Sequence, residues 1–214
     1  MKKYAAEAPR PTRWQQIARR GAGEDYARTY AERFRAMAAR GEDIHGEAAF
    51  VTDLVDPPAR VLDAGCGTGR IAVRLTELGY AVVGADVDVA MLDVARAEAP
   101  DLDWRPADLA SFDLGERFDV VLLAGNIVPL LEPGTLAAVA GRLAAHVAPG
   151  GRVVCGFGLD AGHLPAGCPV TPLADFEDAM TAAGLRLEAK YAGWDGAPYE
   201  PGGGYAVAVH RPVG

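Results

Sequence analysis

The chain has 214 residues, half of them apolar, and a formal net charge of −8. That size suits one domain around a single large core, and no apolar run approaches the roughly 18 residues of a membrane-spanning helix. The acidic balance argues against a nucleic-acid backbone as partner, because neutralising phosphates requires a basic surface. The cysteines Cys66, Cys155 and Cys168 show no paired-ligand spacing, which predicts a reducing cytoplasm and no metal site. Lys2 and Lys3 are not followed by an apolar segment, so no secretory signal is expected.

Residues up to about Arg10 lack periodicity and read as a loose tail. From Trp14 to about Arg40, apolar positions (Trp14, Ile17, Tyr26, Tyr30, Phe34, Met37) recur at helical intervals, interrupted by Gly21-Ala22-Gly23. This predicts two helices, the second stopped by Gly41. The cluster Arg10, Arg13, Arg19 and Arg20 reads as a solvated helix face. A third short helix, AAFVTDLV, follows His45-Gly46-Glu47 and stops at Asp56-Pro57-Pro58. Residues 1–56 are therefore expected to form a helical cap, and residues 57–214 the core of the same domain.

The segment RVLDAGCGTGR, Arg60 to Arg70, carries a short apolar run, an acid at Asp63, and glycines at 65, 67 and 69. The amphipathic segment IAVRLTELG follows. Strand, glycine turn and helix is the expected reading. The glycines permit positive φ and close approach of a ligand, and the free N–H groups of the helix start favour an anionic or polar group. The third glycine comes one residue too early for the dinucleotide G-x-G-x-x-G pattern, and no Gly-Lys-Ser/Thr P-loop ending is present. Next come AVVGAD as a strand ending in Asp86, a helix AMLDVARAEA capped by Asp88, and a short strand over Leu102–Trp104 with a turn through Asp108. FDVVLLAGN reads as a buried central strand, followed by a helix from about Pro133 to His146, closed by Pro149-Gly150-Gly151. RVVCGF forms a fifth strand, with a variable loop from Gly158 to Pro169 and then a helix capped by Thr171 with Pro172 first. Strands over about Arg186–Trp194 and Gly204–His210 end the chain. Alternating strands and helices imply a parallel sheet with right-handed crossovers, and the brief last connection requires one antiparallel strand.

The string Val61, Leu62, Asp63, Gly65, Cys66, Gly67, Thr68, Gly69 resembles the first motif of the class I S-adenosylmethionine (SAM) dependent methyltransferases. The resemblance covers about Arg60 to His210. It implies an α/β, three-layer, Rossmann-like seven-stranded sheet, mostly parallel with one antiparallel C-terminal strand, and an N-terminal helical cap over the SAM pocket. It also implies methyl transfer from SAM, leaving S-adenosylhomocysteine.

Ligands of an open parallel sheet bind beyond the carboxyl ends of its strands. Asp86 stands there, placed to accept both ribose hydroxyls, each charge-assisted bond contributing about 1.5–3 kcal/mol; a helix-capping acid is the alternative. By resemblance, Asp108 accepts from the adenine amino group beside Leu109, though a plain turn aspartate would read the same way. The resemblance also implies that Val87 lines the adenine face, and that the motif residues Asp63, Gly65, Cys66, Gly67 and Gly69, with Ala124, Gly125 and Asn126, surround the rest of the cofactor. Arg70 either reaches its carboxylate or is a solvated helix residue. His146 and His210 fall at the far ends of their elements. His45, Glu47 and His163 are candidate bases, and Asn126 borders the expected methyl position. Its apolar neighbours Ile127-Val128-Pro129-Leu130 lack the Asn/Asp-Pro-Pro-aromatic pattern of amino-methylating nucleic-acid enzymes. Tyr26, Tyr30, Trp194 and Tyr199 are candidates for contacting substrate, with core packing the competing role. Cys66 and Cys168 lack an evident histidine neighbour and are not expected to be nucleophiles. The expectation is a cytoplasmic enzyme, monomer or homodimer, acting on a small molecule without nucleic acid, membrane or metal. The rival readings are a SAM-binding protein without turnover and a nicotinamide-dependent oxidoreductase.

Overall fold

The computed structural model describes residues 10–213; residues 1–9, most of the expected tail, lie outside them. Seven strands form one sheet in the order β3-β2-β1-β4-β5-β7-β6. They span β1 Arg60–Ala64, β2 Ala81–Asp86, β3 Asp103–Pro106, β4 Phe118–Leu123, β5 Val147–Gly158, β6 Leu185–Tyr191 and β7 Tyr205–Pro212. β1 to β5 pair in parallel, and β7 runs antiparallel between β5 and β6. The helices are α1 Arg13–Ala22, α2 Tyr26–Ala39, α3 Gly46–Leu54, α4 Arg70–Glu77, α5 Val89–Glu98, α6 Ile127–Leu130, α7 Leu136–His146 and α8 Leu173–Ala182. No helix among the described residues is long and apolar enough to cross a membrane.

Strand alternation divides the core into two layers. Leu62, Val121 and Leu123 face α7 and α8 through Leu143, Phe176 and Met180. Val61, Val120 and Leu122 face α3, α4 and α5 through Val51, Leu75 and Leu92. Each fully buried large apolar side chain contributes about 1.5–3 kcal/mol, so the sheet is held from both faces. α1 and α2 stand apart from both layers. They meet α5 through a small third cluster of Tyr26, Ala27 and Met91, with Trp14, Ala18, Ala22 and Tyr30 against it.

Several boundaries depart from the sequence expectation. β3 starts at Asp103 and runs to Pro106, because it pairs along β2 as far as Asp86. Pro106 is tolerated because β3 is an edge strand and its ring costs no central ladder bond. Ala124-Gly125-Asn126 is not strand: Gly125 and Asn126 have φ of 75° and 67°, which turns the chain out of β4 into the one-turn helix α6. Pro149-Gly150-Gly151 does not close α7 before a new strand but bulges within β5, where pairing to β4 jumps from Val147 to Arg152. A Cβ on Gly151 would lie 2.8 Å from the Asp119 carbonyl, so only glycine fits the bulge. At α8, Pro172 occupies the cap position itself, with no side-chain cap bond, so Thr171 lies one residue too early to cap.

Candidate functional site

β1 ends in a loop folded back on β2. The N–H groups of Gly65 and Cys66 both donate to the Ala85 carbonyl, at 2.7 and 3.0 Å. Gly69, at φ 83°, starts α4, and a Cβ there would meet the Trp104 ring at 2.3 Å. Gly65 is as crowded: its Cβ would lie 2.5 Å from Ile127. The loop is thus shaped by left-handed backbone and by side chains that leave no room beside it.

Two acids hang from the strand ends above this loop. Asp86 accepts 2.8 Å bonds from the N–H groups of Gly67 and Asp88. Burial raises its pKa to about 6 despite these bonds. Asp63 is 2% exposed, and its Oδ2 has no hydrogen-bond partner among the described residues. Burial is the main reason its pKa rises to about 7, opposed by Arg70 and reinforced by Glu47 and Asp86. A buried carboxylate oxygen without a donor is costly, and at the wall of a cavity it calls for a cationic or N–H group from a ligand.

Asp63 and Asp86 line a cavity of about 150 Å³ with Gly65, Cys66, Gly67, Arg70, Val87, Asp108, Leu109, Ala124, Gly125 and Tyr30. Val87 offers it an exposed apolar side chain at 42% exposure. Asp108 stands at the exposed rim, its Oδ1 accepting from the Ala110 N–H at 2.9 Å. Residues that sequence reasoning missed complete the wall: Thr12 and Trp14, the loop and helix residues Thr68, Ile71 and Met91, and Ile127, Leu130, Leu131, Glu132 and Thr135. A signal for part of this existed. Thr12 and Gln15 form a reciprocal capping box that starts α1.

The remaining predicted residues stand elsewhere. Gly69 packs under Trp104 rather than on the cavity. Asn126 clasps the end of β5: its Oδ1 accepts from the Gly158 N–H at 2.7 Å and its Nδ2 donates to the His163 carbonyl at 3.2 Å. Glu47 does not stand free, because its carboxylate takes both arms of the Arg70 guanidinium at 2.7 and 3.0 Å. Arg70 also donates to the Ile44 carbonyl and lies 4.4 Å from the Phe34 ring centroid, so it is no solvated helix residue. His45 is outside the cavity lining, its Nδ1 buried without a partner among the described residues. Burial, then Arg70, lowers its pKa. His163 is exposed beyond β5, its Nδ1 2.7 Å from Asp160 Oδ1. No histidine among the described residues lines the cavity.

Tyr26 is buried with its hydroxyl on Asp88 at 2.7 Å. Trp194 lies outside the cavity: it packs edge-on against Phe50 and over Gly156, and bonds the Tyr205 hydroxyl at 3.1 Å. Tyr199 sits under the Lys190 ammonium, 5.0 Å from its ring centroid, also away from the cavity. Burial raises the thiol pKa of Cys66 well above its usual value, which leaves it a neutral wall residue. His146 and His210 are both buried packing residues. His146 stacks on Phe112 and accepts from the Leu114 N–H. Burial lowers His210 to about 4, so it stays neutral.

The comparisons with known proteins converge on one class. A family model described as a methyltransferase domain matches residues 61–151. The crystal structure of a TehB-like SAM-dependent methyltransferase from Corynebacterium glutamicum superposes with a TM-score of 0.79 at 33% identity, covering 87% of this chain and 98% of that one. A SAM-bound amino pentose methyltransferase from Micromonospora echinaspora superposes with a TM-score of 0.66 at 25% identity, covering 85% and 96%. A dTDP-4-amino-2,3,4,6-tetradeoxy-D-glucose N,N-dimethyltransferase of Saccharopolyspora spinosa is 34% identical over 135 residues, 60% of this chain and 54% of that protein. The chain spans about half the length of that curated relative and of the next, from Streptomyces venezuelae.

Proposed function

This chain belongs to the class I SAM-dependent methyltransferases, and we propose that it transfers the methyl group of SAM to the amino group of a small polar acceptor. The observation that carries the reading is the buried Asp63 carboxylate with an unpartnered oxygen on the cavity wall. An α-ammonium group of the amino-acid end of SAM satisfies it, and the acid held by the glycine loop, Asp86, suits a ribose diol. Val87 and Leu109 offer apolar surface to a flat ring, and Asp108 an acceptor for its amino group. Arg70, already neutralised by Glu47, stiffens the wall. α1 and α2 act as the cap, and α3 packs with the remaining described residues as part of the cofactor-binding core.

The sulfonium of bound SAM supplies an activated methyl group. What the chain adds is alignment and exclusion of water, which together can lower a barrier by roughly 7–11 kcal/mol. A neutral amine carries its own lone pair and needs no proton removed before attack, which suits a cavity without histidine among the described residues. The names of the relatives that act on amino sugars support the same acceptor class.

Calorimetric titration with S-adenosylhomocysteine and, in parallel, NAD tests the cofactor. Binding of the first and not the second is expected; binding of NAD alone would restore the nicotinamide reading. Turnover of labelled SAM with amino-sugar and phenolic acceptors then tests the reaction. A protein that binds the product yet methylates neither class would be a SAM-binding protein without this activity.

A further inference from the structure

The cap is held in an unusual way. None of the ten residues of α1 is buried, and an isolated helix of that length does not persist in water. Its apolar residues Trp14, Ala18 and Ala22 pack against the small cluster of Tyr26, Ala27 and Met91, outside both main layers. Three side-chain donors of the cap converge on one carboxylate. Trp14 Nε1 donates to Asp88 Oδ2 at 3.1 Å, the Tyr26 hydroxyl to the same oxygen at 2.7 Å, and Gln15 Nε2 to Oδ1 at 3.2 Å. Asp88 is 1% exposed, and its other side-chain bond is the Ala90 N–H at 3.1 Å that caps α5. A carboxylate buried to this degree is stable only when donors surround it. Among the described residues, α1 and α2 bring three of the four donors.

The same residue touches the cofactor side through its backbone, donating its N–H to Asp86 Oδ1 at 2.8 Å. At the start of α1, beside Trp14, Arg13 Nη1 donates to the Pro129 carbonyl at 3.1 Å, and the Arg13 N–H to Glu132. The Thr12–Trp14 segment therefore crosses from the β2 end of the cavity to the α6 end, and Thr12, Trp14 and Glu132 all line it.

We propose that Asp88 is a positioning residue, a latch whose carboxylate holds α1 closed over the cavity and so sets how fast the spent cofactor leaves. The latch rests on the methyl-donor reading above. Ligand exchange then requires the three cap donors to leave Asp88 while the α5 cap bond stays. The sheet, the glycine loop and Asp86 need not move.

Asp88→Asn tests this, because asparagine caps a helix as well as aspartate but presents an amide where Trp14 and Tyr26 donate. Release of S-adenosylhomocysteine, followed by stopped-flow displacement, should quicken roughly tenfold. Amide exchange across Arg13–Ala22 should quicken by a similar factor, with β1 and β4 amides unchanged. Trp14→Phe with Gln15→Ala, which leaves Asp88 in place, should reproduce both effects. Combined with Asp88→Asn it should add little, since all act on one contact. Wild-type release and wild-type exchange in a folded Asp88→Asn would overturn the latch. So would Asp88→Ala lowering the melting temperature while release stays unchanged, the mark of a helix cap alone. Should the wild-type protein bind no S-adenosylhomocysteine, the methyl-donor reading fails by itself, and the exchange arm still decides whether Asp88 holds α1.

Discussion

Asp63 and Asp86 hang from strands whose neighbours are buried on both faces of the sheet. Trp14 hangs from a helix with no buried residue, steadied by a small cluster, the Asp88 carboxylate and the Arg13 bonds to Pro129 and Glu132. The first wall of the cavity opens only when the core does; the second can open alone, at a fraction of the global stability. α3 belongs with the first. Its Phe50 and Val51 sit in the main cluster with Trp194, although it precedes the glycine motif in sequence. The division between rigid and movable walls thus runs between α2 and α3.

The strongest way to break this contrast is to strike the rigid wall. Gly69→Ala places a Cβ 2.3 Å from the Trp104 ring at a φ of +83°. Overpacking and left-handed strain together should cost about 3 kcal/mol or more, read as a lowered denaturation midpoint. A variant as stable as wild type would mean that the loop yields and is no rigid wall.

Asp63→Asn sharpens the contrast through pH. Burial raises Asp63 from 3.8 to about 7. The unfolded chain therefore releases this proton at a lower pH than the folded one. Between about pH 4 and pH 7 the folded state binds more protons, so this group's contribution to stability falls as pH rises through that window, then levels off. Asp63→Asn should be more stable than wild type at pH 8, by on the order of 3 kcal/mol, with the gap closing towards pH 4. Parallel stability curves across that range would refute the assigned protonation. Ligand binding should show the opposite side of the same effect. A cationic group beside Asp63 favours the ionised form, so S-adenosylhomocysteine binding near pH 6.5 should release protons, seen as buffer-dependent heats.

Asp86→Ala removes a polar side chain of the rigid wall. It should weaken S-adenosylhomocysteine binding by about 1.5–3 kcal/mol in calorimetry, with the sheet still folded. Unchanged affinity in a folded variant would sink the ribose assignment. Ala18→Gly makes the smallest change, on the movable wall. It should loosen α1 by about 1 kcal/mol, visible as faster amide exchange in α1, and leave the global denaturation midpoint where it was. A matching drop in the global midpoint would show that α1 unfolds with the core and that the two walls are one.

Most of the rigid wall could be read in the sequence because its signals are local. The alternation of Val61 and Leu62, the glycines that need positive φ, and the helical period that follows all lie within a few residues. The rule that ligands meet the carboxyl ends of parallel strands then picked out Asp86, Asp108, Ala124 and Gly125, which line one cavity. Helix α6 escaped notice, since four residues carry no period and its start depends on Asn126 taking a left-handed backbone. The aromatic candidates divided on packing alone. Tyr30 faces the cavity, whereas Trp194 fills the space above Gly156.

What the sequence determined by itself is the sheet, its glycine loop and the acids at its strand ends, because backbone propensity and side-chain period act within one element. What only the tertiary structure decided is which polar groups found each other. The Trp14 indole reaches Asp88 across 74 positions, Arg70 takes Glu47 across 23, and Asn126 holds Gly158 across 32. No local pattern encodes such pairings. They exist because packing brings distant groups within reach of one another, and a polar group shielded from water stays only where it finds partners.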